Sequence, residues 1–325
     1  GWCLPIAIDR GVTVRGVVEP AGGRVRLTSD QFRDPVDLPI DGDGDPSRAE
    51  PAWARYVAAV IGEVRPSAGF DGHVSSDLPL GMGLSSSAAF EVAVALALGA
   101  EASDPVALAR ACQAAEHAAR GVPTGILDQI SSICGRQGCA LLLDCHELRV
   151  TAVELPPADE VEWVVVVPGD GRDLGTSAYA ERVAELARAE REIGPLRTAG
   201  VGDVERLDDP VVRARARHVV TENQRVHDFV TAVGAGDVVA AGQLMDASHA
   251  SLSHDFESST PAIDTACAEL RTVRGVLGAR VTGGGWGGSV IALTRHGVIT
   301  GRSDCWVVTP SNGATLLPPA RATPG

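Results

Sequence analysis

The 325 residues, 45% hydrophobic and 22% charged, suffice for one large or two ordinary domains of a soluble globular protein. The 28 basic side chains, set against 42 acidic ones for a net charge of −14, are all arginine. With no lysine the chain cannot form a Schiff base or a Walker-type phosphate loop, and its acidic balance speaks against nucleic acid as a partner.

The chain opens at Gly1, and residues upstream of it are expected. In chain order, β-branched runs predict strands over Ile6 to Val18 and Arg24 to Thr28, with a turn-rich acidic loop over Asp41 to Pro46. That loop lacks the later glutamate of a calcium loop and reads as solvated. Trp53, Tyr56, Val57, Val60 and Ile61 mark one stripe of a helix within Pro51 to Val64. A strand over Phe70 to Ser76 follows. The stretch Ser85 to Leu98, apolar on nearly every face, reads as a buried helix.

A second helix spans Pro105 to Arg120 and stops at Gly121 and Pro123, and Thr124 is placed to cap a third that runs to Cys134. Strands are expected over Cys139 to Leu143, Leu148 to Val153 and Val161 to Val167. A domain boundary falls near Pro156-Pro157, giving domains 1–157 and 158–325. Beyond it come helices over Ser177 to Ile193, Asp209 to Val233, Asp237 to Leu252 and Ala262 to Val273. Strands near Ala279 to Thr282, Ser289 to Leu293 and Cys305 to Val308 close the pattern. Runs of strands and runs of helices indicate an α+β protein of two lobes.

Seven cysteines, an odd number without Cys-x-x-Cys, suggest neither a disulfide framework nor a zinc ribbon. The apolar stretch from Ala88 to Ala100 is interrupted by Glu91 and is too short to span a bilayer. No secretory signal opens the chain, and a cytoplasmic location is expected.

Three segments carry candidate chemistry. In the first, Leu78 to Phe90, a strand ends, Gly81 and Gly83 permit close backbone approach, and a helix starts at Ser85-Ser86-Ser87. Unpaired N–H groups and a partial positive charge at such a helix start suit a phosphate, and one serine hydroxyl could reach a magnesium ion. The plain alternative is a serine-capped turn. In the second, Glu116 lies in an alanine-rich helix and Asp128 in the first turns of the next. One carboxylate could bind Mg²⁺ while the other meets a hydroxyl; an exposed helix residue and a dipole-matched acid are the alternatives. In the third, Gly283, Gly284, Gly285, Gly287 and Gly288 fill five of six positions between two strands, where the backbone passes close to a ligand or to another backbone.

Taken together these segments resemble the GHMP kinases. Leu78 to Ala89 looks like their phosphate-binding motif and Thr282 to Gly288 like their C-terminal glycine-rich motif. The fuller resemblance is to galactokinases, through Gly121 to Gln129, Gly138 to Cys145, Ser177 to Arg182, Arg215 to Asn223, Met245 to His249, Asp255 to Ser259 and Pro310 to Ala314. It implies a two-lobed GHMP kinase fold, with a mixed-sheet N-terminal lobe, an α/β C-terminal lobe and the active site between them. It also implies ATP-dependent phosphorylation of the anomeric hydroxyl of a sugar, galactose first.

By the resemblance, Gly81, Gly83, Leu84, Ser85, Ser86, Ser87 and Ala88 bind ATP phosphates, and Ser87 and Glu116 hold Mg²⁺. Asp128 acts on the anomeric hydroxyl, Gly125 and Tyr179 join it as sugar contacts, and Gly283, Gly284, Gly285 and Gly287 form the glycine-rich motif. The partner is a small-molecule sugar, with neither nucleic acid nor membrane, and the protein is a monomer or weak dimer. The family's R-V-N-L-I-G-E-H-T-D-Y type segment, which supplies an arginine near the phosphate and further sugar contacts, is not in this sequence. A kinase of the same family for another sugar or cyclitol, and a non-catalytic sugar sensor, are the other readings.

Overall fold

The computed structural model describes residues 1–78, 81–121, 124–168, 175–301 and 304–317. Pro79, Leu80, Val122 and Pro123, which belong to the motifs above, lie outside them. The chain divides into two compact units, each discontinuous in sequence. One comprises Gly1–Asp9, Pro79–Ser86 and Arg136–Ser311; the other comprises Arg10–Leu78, Ser87–Gly135 and Asn312–Gly325. The expected boundary at residue 157 falls inside the first of these.

The second unit is built on a four-stranded mixed sheet. Its strands are β2 (Val12–Glu19), β3 (Arg24–Ser29), β4 (Val36–Pro39) and β5 (Gly69–Ser76), in the order β2-β5-β3-β4. β5 pairs antiparallel with β2, Val14 opposite Val74, and parallel with β3, Val25 opposite Phe70. Val25, Leu27 and Val36 turn inward from the sheet onto α1 (Ala54–Val64), α2 (Ser86–Ala97) and α3 (Pro105–Arg120). Fully burying each such side chain contributes about 1.5–3 kcal/mol.

Local chemistry sets the ends of α3. Asp104 accepts from the Ala107 N–H at 2.9 Å, Pro105 occupies the first turn, and Gly121 closes the helix at φ 71°. The short α4 (Leu127–Cys134) follows. Thr124, expected to cap it, does not: the residue preceding α4 is Ile126, which makes no side-chain cap. The Thr124 hydroxyl is drawn to a carboxylate instead.

The first unit holds two sheets. The smaller joins β1 (Trp2–Cys3), β6 (Cys139–Asp144) and β7 (Arg149–Glu154). The larger is antiparallel in the order β11-β8-β10-β9, from β8 (Val161–Val166), β9 (Val276–Val281), β10 (Val290–Arg295) and β11 (Cys305–Val308). Its helices are α5 (Gly175–Ile193), the short α6 (Val201–Val204), α7 (Pro210–Gly234), α8 (Val238–His254) and α9 (Pro261–Thr272). Asp209, Asp237 and Thr260 cap α7, α8 and α9.

Helix α8 crosses β9 where both carry glycine. A Cβ on Gly242 would lie 2.2 Å from the Leu277 carbonyl oxygen, and one on Gly278 2.0 Å from that of Gly242. Two side-chain-free positions thus seat α8 directly on the sheet and fix where the chain leaves it.

The strand expected over Ile6 to Val18 is two separate elements. Residues 6–9 make only an isolated bridge, Ile8 to Pro310, and the strand proper begins at Val12. Among the described residues no helix is long and apolar enough to cross a membrane.

Candidate active site

Gly81 to Ser86 belong to the first unit. Gly81 and Gly83 adopt φ of 72° and 70°, and Ser85 is also left-handed at 55° before α2 starts at Ser86. The left-handed region is costly for a serine and is held only where surrounding structure imposes it. The glycine-rich segment lies against the residues just before Ser85. A Cβ on Gly83 would approach the Gly288 Cα to 3.2 Å, and the Ser289 hydroxyl donates to the Met82 carbonyl at 2.6 Å. Of the two readings left open for Gly283 to Gly288, close approach to another backbone is therefore realised, and that backbone is the phosphate-loop candidate itself. Gly283, Gly285 and Gly287 have positive φ, whereas Gly284 does not. Leu84 packs into the cluster formed by Trp163, Ala241 and Met245.

Ser87 and Ala88 continue α2 within the second unit, where Ser87 meets the acidic Glu116. Glu116 on α3 is 4% exposed and takes hydrogen bonds on both carboxylate oxygens. Oε1 accepts from the Ser87 hydroxyl at 2.9 Å and lies 3.4 Å from Arg120 Nη1. Oε2 accepts from the Thr124 hydroxyl at 3.0 Å and the Gln129 amide at 2.9 Å. An exposed helix residue, one alternative for Glu116, is ruled out. Four donors on one buried carboxylate fix its orientation, as such charge-assisted bonds do. A carboxylate and a hydroxyl are also the hard oxygen donors that magnesium prefers, and Mg²⁺ commonly takes only one or two protein ligands beside its substrate's phosphates. The donor set fits that ion.

Asp128 lies in the first turn of α4, half-buried, with exposed Gly125 just before the helix. Tyr179 lies on α5 in the first unit and is 38% exposed.

Two participants escape a reading of the sequence. Thr124, with its hydroxyl on Glu116, also donates its N–H to His117 Nε2 at 2.7 Å, which ties the turn before α4 to α3. Glu91 is fully buried in α2, and neither of its oxygens nor Oε1 of the adjacent Gln129 finds a hydrogen-bond partner among the described residues. Burial first, and the Glu116 charge second, push the Glu91 carboxyl up to about 9, and Asp128 adds to the effect. A glutamate inside a helix otherwise apolar all round was the available signal.

Comparison with known proteins places the chain in a family. The GHMP kinases N terminal domain matches residues 53–136, and the GHMP kinases C terminal domain matches residues 229–298. Galactokinase of Mycobacterium tuberculosis (strain ATCC 25618 / H37Rv) is 39% identical over 308 residues, covering 90% of this chain and 83% of that protein. Galactokinase of Thermococcus kodakarensis is 35% identical over 342 residues, covering 98% and 94%. Among solved structures, Lactococcus lactis galactokinase complexed with galactose superposes with a TM-score of 0.88 at 28% identity, over 98% of this chain and 90% of that one. Methanococcus jannaschii mevalonate kinase shares the fold alone, with a TM-score of 0.67 at 17% identity over 96% and 92%. With its phosphate-loop candidate backed by glycines, its buried Ser87–Glu116 pair and this likeness along nearly its whole length, the chain belongs to the galactokinase family of the GHMP kinases.

Proposed function

We propose that the protein is an ATP-dependent galactose kinase that phosphorylates the anomeric hydroxyl and releases galactose 1-phosphate. The observation that carries this reading is the 35–39% identity to galactokinases from bacteria and an archaeon over most of the chain.

Phosphoryl transfer passes through a loose transition state, so positioning and charge neutralisation do most of the work. Backbone amides of residues 81–86, from Gly81 and Gly83 through Leu84 to Ser85 and Ser86, with Ala88 behind them, cradle the phosphates without a lysine. Ser87 and Glu116 would hold the Mg²⁺ that accompanies ATP, whose charge would offset that of the phosphate oxygens. Glu116 serves because its four donors keep the carboxylate in one orientation.

Asp128 accepts a hydrogen bond from the anomeric hydroxyl and orients its oxygen toward the terminal phosphorus. In a loose transition state the attacking oxygen keeps its proton until bond formation is advanced, so Asp128 takes that proton late, as the oxygen–phosphorus bond forms. The Gly125 backbone and Tyr179 complete the sugar contacts on this chain. The protein works as a cytosolic monomer or weak dimer on a small-molecule sugar.

Phosphorus NMR of the protein with Mg-ATP and a panel of sugars tests this. Galactose 1-phosphate is the expected product; product from a different sugar alone, or from none, would overturn the assignment.

A further inference from the structure

Two arginines in the galactokinase-like segments have no part in the chemistry above. Arg215 on α7 is 3% exposed and Arg182 on α5 is 8% exposed. Burying a guanidinium is costly unless every donor finds a partner. Here both converge on one short stretch, residues 255–257, where the chain leaves α8. Arg215 donates to the Asp255 carbonyl at 2.6 Å, to Glu257 Oε2 at 2.7 Å and to Glu185 Oε2 at 3.1 Å. Arg182 donates to the Phe256 carbonyl at 2.9 Å and also pairs with Glu185. Glu257 itself sits at φ 54°, a left-handed conformation that needs such restraint.

The next residue, Ser258, is fully buried under the glycine-rich segment. Its carbonyl accepts the Trp286 N–H at 2.6 Å, and a Cβ on Gly285 would lie 2.2 Å from that same oxygen. Trp286 is a second non-glycine residue held at φ 54°. Its ring lies 6.4 Å from that of Phe256, between the two clamped positions. Beyond Trp286 the segment reaches Gly288 and Ser289, which touch Gly83 and Met82. A continuous run of hydrogen bonds and backbone contacts, all within the first unit, therefore leads from the two arginines to the phosphate-loop candidate.

We infer that Arg215 and Arg182, with Glu185 as their shared carboxylate and Glu257 bonded to Arg215, are positioning residues for the nucleotide. They clamp residues 255–257 so that the Ser258 carbonyl holds Trp286, and Trp286 sets the glycine-rich segment that shapes the loop around Gly83. Neither arginine touches phosphate. Their effect reaches ATP through the backbone and leaves galactose affinity alone. The inference rests on the reading of residues 81–86 as the phosphate loop.

The test uses the full chain and Mg²⁺ with a non-hydrolysable ATP analogue. Calorimetry gives affinity for the analogue and separately for galactose, thermal melting gives stability, and steady-state assays give both KM values. Glu257→Gln is the main variant, because its side chain is 60% exposed and the fold tolerates change there. Arg215→Met is the second. Residues that couple to a site through others modulate it by 0.5–2 kcal/mol, so analogue affinity should fall roughly 2- to 30-fold, with KM for ATP following and KM for galactose unchanged. Native nucleotide affinity in folded Glu257→Gln, or equal losses for nucleotide and galactose, would overturn the inference. If Arg215→Met does not fold, Glu257→Gln decides alone. Gly83→Ala separates the two claims: it should weaken the analogue directly, and if it does not, the phosphate-loop reading itself has failed.

Discussion

The Ser87 hydroxyl donates to Oε1 of Glu116 at 2.9 Å, joining the second residue of α2 to a carboxylate buried in α3. This bond places the Glu116 oxygen beside the Ser87 hydroxyl at the start of α2. It is the geometric basis for assigning the two residues to the same cation. Glu116→Gln should therefore raise the Mg²⁺ concentration at half-maximal rate by about tenfold or more, the lower end of the loss seen when a metal-site group is changed. Ser87→Ala should act in the same direction but more weakly, since a neutral ligand is lost. A magnesium titration at saturating ATP checks both, and unchanged half-saturation in Glu116→Gln removes the ligand role.

Asp128→Asn keeps the shape of the side chain and removes the charge to which the proposed mechanism assigns orientation and final acceptance of the hydroxyl proton. Turnover should drop by about 10²–10⁴, the range for a positioned acid–base group. Binding of an ATP analogue and the melting temperature should stay near native. Near-native turnover would take the role away from Asp128.

How much of this was legible before the structure depends on how local each signal is. Helices α3, α7, α8 and α9 announce themselves by a capping Asp or Thr, and the predicted and observed spans agree to within a few residues. Strands β1 and β4 went unseen, because two and four residues carry too little periodicity. Trp2 acquires its strand only by pairing with Asp144, far along the chain. Thr124 looked like a cap because threonine before a helix is a local rule, yet a distant buried carboxylate outbid that rule. The glycines, the serine triplet and the carboxylates were visible as residue types. The clamp on residues 255–257 was not, since each of its bonds joins elements whose proximity only the fold creates.

Glu91 carries a pH signature. Its folded pKa, about 9, lies above the ordinary glutamate value, so the folded protein binds the extra proton between the two. The stabilisation is complete below pH 4 and is lost as pH rises toward 9, with a limiting slope of about 1.4 kcal/mol per pH unit. Glu91→Gln, neutral at every pH and similar in shape, should flatten the alkaline fall in melting temperature measured without nucleotide. An identical pH profile for the variant would mean that Glu91 is ionised in the folded protein.

His218 carries the opposite dependence. It is buried against Phe256, with Ser251 at 3.1 Å from Nδ1 and Glu222, Arg225, Arg280 and Asp255 around it. Burial pulls its pKa down to about 4. The unfolded chain takes up the proton near pH 6.5 while the folded one resists it, so stability falls as pH drops from 6.5 toward 4, by up to about 3 kcal/mol. Replacing His218 by glutamine should lower stability at pH 7.5 yet lessen the further loss on going to pH 4.5. Parallel curves for the native protein and the variant would assign the acid sensitivity to other groups.

The last prediction concerns the thiols. Cys3 and Cys145 lie with their Sγ atoms 3.6 Å apart where β1 meets β6, and both are free. The two thiols share one hydrogen bond, from Cys145 Sγ to Cys3 Sγ, and this pairing draws the Cys145 thiol below the ordinary thiol range while it pushes Cys3 up. Cys112 and Cys267 are buried and pushed up to about 12. Because the thiolate is the nucleophile, iodoacetamide at pH 7.5 should modify Cys145 well before either of the buried pair. Cys3→Ala removes the hydrogen-bonded neighbour, so Cys145 should return toward the ordinary thiol range, lose thiolate at that pH and react several-fold more slowly, the gain in nucleophilicity only partly offsetting the loss. Peptide mass spectrometry over a labelling time course reads both rates, and a Cys145 rate unchanged by Cys3→Ala would show that the neighbouring thiol is not what activates it.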